Sequence, residues 1–364
     1  MQSLFARRGK TTREIGGVAG LIILLALPLF FAAQARRIVS HYVPAYQRKL
    51  NGDLNYAAHK GNVEQIQSLL DSGANIESRE RGRGPAVNFT PLYWAVTQKK
   101  TENALFLLQK GADPNSKNDD FTPFTRAVEQ GDLRVVRAML AKGAHPNAVA
   151  PYLFTQVPTP VLLAAAQRNN IAVLKLLLDY GANPNVQDEQ GHTPIAEVIS
   201  QNQRRAALAL LEKGAVPQGK ASVTGSIWLW LMSAHRKNSL DKSSPDCPPN
   251  CLHVEVARAL IQRGASLKEK DADGRSVLHL ATMTGDPVMA KLLLEKGAQV
   301  DAVDKHGYTP LMLANSQVAP VILQHHPNLR LKNERGETAL DIALSSDDLA
   351  LRRVMSKAYG AKAN

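Results

Sequence analysis

The sequence predicts an all-α solenoid of stacked helix-turn-helix units, preceded by one transmembrane helix. Three observations predict it. An uncharged apolar run of 21 residues lies near the N-terminus, a Gly-Ala pair closes a leucine-rich stretch seven times, and a Thr-Pro marker recurs upstream of those glycines. Composition agrees with a large folded chain. Hydrophobic residues fill 44% of 364 positions and charged ones 21%, which excludes wholesale disorder. Two cysteines exclude a disulfide-built scaffold and a zinc site of cysteines alone. The net charge of +12 attracts acidic partners and says nothing about fold.

The first element is the run Ile15–Ala35, which follows a basic tail at 1–14 carrying Arg7, Arg8, Lys10 and Arg13. At 1.5 Å per residue its helix spans about 31 Å, enough for a bilayer core of about 30 Å. Pro28 inside the run is tolerated better in a membrane helix than in a soluble one. A cleaved signal peptide is the rival reading, with Ala33-Gln34-Ala35 as its cleavage signature. Arg36 and Arg37 directly after that site are unusual for an exported mature chain, and the run outlasts an ordinary signal core. A buried core helix suits shorter runs. The expectation is a retained membrane anchor, followed by a juxtamembrane linker at 36–50.

The repeats come next. The closing glycines are Gly73, Gly111, Gly143, Gly181, Gly214, Gly264 and Gly297, at successive spacings of 38, 32, 38, 33, 50 and 33. A base period near 33 with three insertions explains every interval. Upstream stand Thr90-Pro91, Thr122-Pro123, Thr159-Pro160, Thr193-Pro194 and Thr309-Pro310, with degenerate copies at Ser276-Val277 and Thr338-Ala339. Each marker has a physical job. Threonine offers an oxygen to the free N–H groups of a helix start, and proline at the first helical position wastes no donor. Alanines such as Ala164-Ala165-Ala166 keep the first helix thin, and Leu176-Leu177-Leu178 gives the second its buried stripe. Glycine then takes the left-handed conformation that ends the helix.

This pattern resembles the ankyrin repeat, with its T-P-L-H-x-A-A, then V-x-x-L-L-L, then G-A-x-x-N. The resemblance runs over about residues 50–356, and residues 51–356 hold about nine imperfect copies ahead of a tail at 357–364. It implies an all-α ankyrin-repeat solenoid, helix-turn-helix repeats with β-hairpin fingers, whose copies bury their apolar stripes only by stacking. The first copy lacks Thr-Pro. In the fourth, the marker is displaced one residue, which leaves the start of its first helix open. The eighth is short, with Pro320 and Pro327 flanking a stunted second helix, and the ninth ends in a charged helix suited to a solvated cap.

Ankyrin folds bind through their fingertips and inner helix faces, so the insertions carry the candidate contacts. The first, 77–84, places Arg79, Arg81 and Arg83 in a glycine-rich loop; it reads as a solvated loop or as a basic contact. The second, 150–158, places Tyr152 and Phe154 between prolines, as binding anchors or as residues folded back on the neighbouring helix. The third, 238–251, interrupts the sixth copy. Its first helix carries Trp228 and Trp230, either filling a widened gap or exposed as an anchor for a partner or the membrane surface.

Catalytic chemistry finds no support. The stretch Gly214 to Ala221 imitates a phosphate loop but ends in alanine and follows a helix, so the magnesium-binding hydroxyl is missing. His325-His326 lacks the further ligands that zinc needs, and His279 occupies the structural histidine position of the repeat. No cofactor, metal or catalytic site is expected. The expected function is a membrane-anchored adaptor that binds another protein. Nucleic acid is disfavoured, because Lys110, Lys142, Lys213 and Lys296 stand at helix ends where they complement the dipole. A basic solenoid binding an acidic surface such as anionic lipid, and an inhibitor or immunity protein guarding a membrane-facing target, stay open as alternatives.

Orientation turns on the cysteines. Four basic residues precede the run and four follow it (Arg36, Arg37, Arg48, Lys49), so charge decides nothing. Cys247 and Cys251 lie in one proline-bent loop, and a disulfide between them would persist only in an oxidising space. The alternative is two free thiols in a cytosolic loop. The pair tips the expectation toward a solenoid on the periplasmic or exported side.

Overall fold

The structure, a computed structural model, describes residues 45–79, 89–117, 121–150, 158–218, 227–229, 231–232 and 251–360. The run 15–35 lies outside them; among the described residues no helix is long and apolar enough to cross a membrane. The chain divides into two compact units, one up to Ala112 and one from Asp113.

The N-terminal unit contains α1 (45–60), α2 (Val63–Asp71), α3 (Pro91–Thr97) and α4 (Thr101–Gln109). Asn62 and Gln65 form a reciprocal capping box that starts α2. Thr90 caps α3, with Pro91 at its first turn. Leu54, Ala58, Ile66, Leu92 and Leu107 form the core, each fully buried. Asn103 of α4 is buried with them, and its amide donates to the Gly61 carbonyl oxygen at 3.2 Å, where the carbonyls ending α1 run out of backbone donors.

The C-terminal unit repeats the same pair. Its helices are α5 (Pro123–Gln130), α6 (Leu133–Ala141), α7 (Val161–Gln167), α8 (Ile171–Asp179), α9 (Pro194–Ser200) and α10 (Arg204–Glu212). Of α11, residues 227–229 and 231–232 are described. Then come α12 (Cys251–Gln262), α13 (Val277–Thr284), α14 (Pro287–Glu295), a 3-10 turn (Pro310–Leu313), α15 (Ala319–Leu323), α16 (Ala339–Ser345) and α17 (Leu349–Gly360). Thr122, Thr193, Ser276, Thr309 and Thr338 each accept from the third N–H of the helix they open. The leucine stripe is the core: Leu174, Leu177, Leu210, Leu260 and Leu293 are fully buried.

Two departures have local causes. In the fourth copy Thr159-Pro160 does not cap; it forms β2 and pairs antiparallel with β1 (Val149–Ala150), so α7 begins at Val161 without a side-chain cap. In the eighth copy the first helix shrinks to the 3-10 turn, and α15 ends at Leu323, with His326 just beyond it at φ +53 where other copies place glycine.

Asparagine at the fifth position from the closing glycine ties neighbouring copies together. Asn115 donates to the Gly143 carbonyl at 2.9 Å and accepts from the His145 N–H at 3.1 Å. Asn185 treats Gly214 and Val216 the same way, at 3.1 and 2.7 Å. Asn147 and Asp301 accept from Asn183 and Asn328.

Candidate functional site

Four of the fingers are turned by a side chain, an aspartate in three and an asparagine in one. Asp304 accepts from the N–H groups of His306 and Tyr308, both at 2.9 Å, and its own N–H donates to the Tyr308 carbonyl at 3.0 Å. Asp188, Asp271 and Asn333 repeat the arrangement. Each stands five residues before its capping Thr or Ser, a spacing visible in the sequence that the repeat search did not use. Successive fingers also touch through backbone. Lys305 N–H donates to the Asp273 carbonyl and Glu334 N–H to that of His306, each at 3.0 Å. Gly307, at φ +77, lies so close to the next finger that a Cβ would sit 3.1 Å from Asn333 Cα.

Of the residues expected at the surface, Arg79 is exposed beside the first finger. Arg81, Arg83, Tyr152 and Phe154 lie outside the described residues, as do Trp230 and Cys247. Cys251 opens α12, and its side chain likewise lies outside the description. Trp228 is a correction. It is 1% exposed, and its indole N–H donates to the Ser266 carbonyl at 3.0 Å, so it is a core residue and offers nothing to a partner. A large ring with one satisfied donor fills space where the usual alanine is replaced.

The inner helices carry two electrostatic features. Trp94, half-buried, stacks on His59 with ring centroids 5.2 Å apart, and Phe89 meets its edge at 5.8 Å. Burial raises the Glu129 carboxyl above its ordinary range, although Arg126 at 3.3 Å pulls the other way. Among the described residues no group of three or more His, Cys, Asp or Glu could hold a metal ion. Gly214, the start of the phosphate-loop imitation, is a helix-closing glycine at φ +95.

Sequence reasoning missed one place. The turns α7–α8 and α9–α10 border an open hollow of about 380 Å³ lined by Asn169, Ile171, the amides of residues 201–203, Arg204 and Arg205. Asn169 and Asn202 sit at φ +55 and +60, the turn position that Gly131 and Gly285 fill in other copies. Arg204 Nε donates to Asn202 Oδ1 at 3.0 Å, while its Nη2 is buried without a hydrogen-bond partner. Burial pulls this guanidinium below its usual range, and no nearby carboxylate offsets that.

The chain compares with known proteins over most of its length. The family model for ankyrin repeats, in three copies, matches residues 54–150, 152–239 and 250–324. Rabankyrin-5 of Homo sapiens is 27% identical over 84% of this chain and 26% of its own length. The transient receptor potential cation channel subfamily A member 1 of Homo sapiens is 27% identical over 69% of this chain and 18% of its own. The B-cell lymphoma 3 protein homolog of Mus musculus is 26% identical over 54% and 43%. The chain thus spans less than half the length of these relatives. A solved human ASB11 ankyrin repeat domain aligns with 65% of this chain and 98% of its own at 22% identity, with a TM-score of 0.45. Paired helices, Thr-Pro caps, left-handed closing glycines and the family match agree, and the chain belongs to the ankyrin-repeat family.

Proposed function

We propose that this chain is a membrane-anchored ankyrin-repeat adaptor that holds a partner protein and performs no chemistry of its own. The observation that carries the binding role is the family itself: ankyrin repeats match well over half the chain, and loops set on such a rigid stack are where contacts concentrate. Basic residues, apart from those that complement helix ends, suit an acidic partner. The anchor rests on the length and lack of charge of 15–35, and the exported orientation on the Cys247–Cys251 pair.

Crosslinking followed by affinity capture of the full chain from solubilised membranes tests the reading. A specific protein recovered with the full chain and lost with its repeats deleted is the expected result. Recovery of nucleic acid or lipid alone, released steeply by salt, would replace the adaptor with a basic-surface binder.

A further inference from the structure

We propose that the cavity between the α7–α8 and α9–α10 turns is a carboxylate-binding site that takes an acidic side chain of an extended partner peptide. The proposal rests on the adaptor reading and names the chemistry of one contact within it.

Three features of the cavity converge on an anion. Arg204 and Arg205 line it, and no carboxylate does. Among the described residues Arg204 forms no ion pair; its Nε is held by Asn202 and its buried Nη2 has no acceptor. A buried cationic donor without an acceptor is costly, and its ordinary partners are carboxylate or phosphate oxygens gripped by the planar fork. Arg204 also begins α10, whose flanking Gln203 supplies no side-chain cap and whose first turn contains no acid. No side-chain cap or first-turn acid thus meets this end of the helix, where the dipole favours negative charge.

A fourth feature separates a peptide from a free anion. Gln203 is 6% exposed and lines the cavity. Its amide nitrogen donates to the Ala166 carbonyl at 3.3 Å and to Gln201, but its Oε1 has no partner. Glu197, the acid nearby in sequence, is engaged by Gln201 at 2.5 Å and does not line the cavity. The site thus lacks both an acceptor for a guanidinium and a donor for an amide oxygen. A peptide with an acidic side chain supplies both, through carboxylate and backbone N–H. Inorganic phosphate and a lipid phosphate supply mainly the first.

Beyond Arg205 the surface continues into a second hollow of about 300 Å³ between α8 and α10, lined by Leu178, Leu208 and Ala209 and by charges of both signs, Lys175 and Lys213 with Asp179 and Glu212. Arg205 lines both hollows. An extended peptide with an acid in the first hollow and an apolar residue in the second follows this path.

The test uses the full chain in detergent micelles and a fluorescein-labelled decapeptide of alternating Glu and Leu, read by anisotropy. Saturable binding weakened tenfold or more by Arg204→Gln, and within twofold of wild type in Arg137→Gln, is expected; the second variant removes the same charge from an exposed position on α6. Asn202→Gly, at a backbone φ that glycine adopts, releases Arg204 Nε and is expected to weaken binding at least threefold. Equal losses in Arg204→Gln and Arg137→Gln, or unchanged affinity in Asn202→Gly, overturn the site. So does displacement of the peptide by inorganic phosphate or phosphatidylserine vesicles as readily as by unlabelled peptide. If wild type and Arg204→Gln crosslink the same protein equally, the site falls and the adaptor stands. If neither crosslinks any protein, the adaptor itself falls.

Discussion

His279 Nε2 lies 2.9 Å from the carbonyl oxygen of Tyr308, so a ring in one repeat closes on the backbone of the next. A carbonyl only accepts, which puts the ring hydrogen on Nε2 and leaves Nδ1 to accept from Ser276 N–H and Oγ at 3.1 and 2.8 Å. Burial is the main cause that lowers this imidazole below its ordinary 6.5; the hydrogen bond to the Tyr308 carbonyl, and after it Asp304 and Asp271, oppose it less strongly. The neutral ring is therefore the folded form. Unfolded chain gains a proton near pH 6.5 that the folded chain refuses, so this histidine's contribution is present above that pH and lost as pH falls below it. The slope of unfolding free energy against pH, in urea melts between pH 7.5 and 5, should flatten in His279→Gln.

Removing the ring altogether tests the same bridge at neutral pH. His279→Ala should cost about 1–3 kcal/mol, because it leaves the Tyr308 carbonyl and the Ser276 hydroxyl unpaired inside the stack. Chemical denaturation at pH 7.5 measures it.

Leu177 is fully buried in the leucine stripe of α8. Leu177→Ala should cost about 2–5 kcal/mol, and a far smaller loss would contradict stacking through that stripe.

Asp304 holds its finger by two backbone N–H bonds. Asp304→Ala should cost about 1–2 kcal/mol and expose the amides of His306 and Tyr308 to faster hydrogen exchange. Gly307→Ala should be worse than a loop substitution elsewhere, since φ +77 and the close Asn333 backbone both oppose a Cβ.

The fingertip insertions carry the contact prediction made from sequence. Alanine at Arg79, Arg81, Arg83, Tyr152 and Phe154 should weaken partner binding, most at the two aromatics. A folded five-fold variant with wild-type affinity would remove that idea. For orientation, alkylation of the native chain under denaturing, non-reducing conditions should find Cys247 and Cys251 blocked by each other; two free thiols with a protease-protected stack in spheroplasts would place the repeats in the cytoplasm.

The fold was legible because its signals are local and repeated. A threonine before proline, a glycine after leucines and a period of 33 need no knowledge of tertiary contacts, and the caps at Thr90, Thr122 and Thr193 form as their spacing implies. Trp228 stayed open between gap-filler and anchor because a tryptophan in a sequence does not reveal whether Ser266, 38 residues later, will accept its N–H. The cavity was invisible for a similar reason. Asn169 and Asn202 stand one repeat apart, and only stacking brings their two turns around one space. A cue was nonetheless present: Arg204-Arg205 opens a helix where acids usually lie.

The amide at Asn115, Asn147 and Asn185 grips main-chain atoms that every copy possesses, whatever its side chains. Such a coupling makes those repeats exchangeable cassettes: a duplicated or transplanted copy meets the same backbone handle on its new neighbour. Gln218 and Lys268 stand at the corresponding positions of the fifth and sixth copies. Recombination within the chain should thus be tolerated among the copies that keep the asparagine and resisted at the joints around the sixth, which fixes that copy and its long insertion to one address in the array.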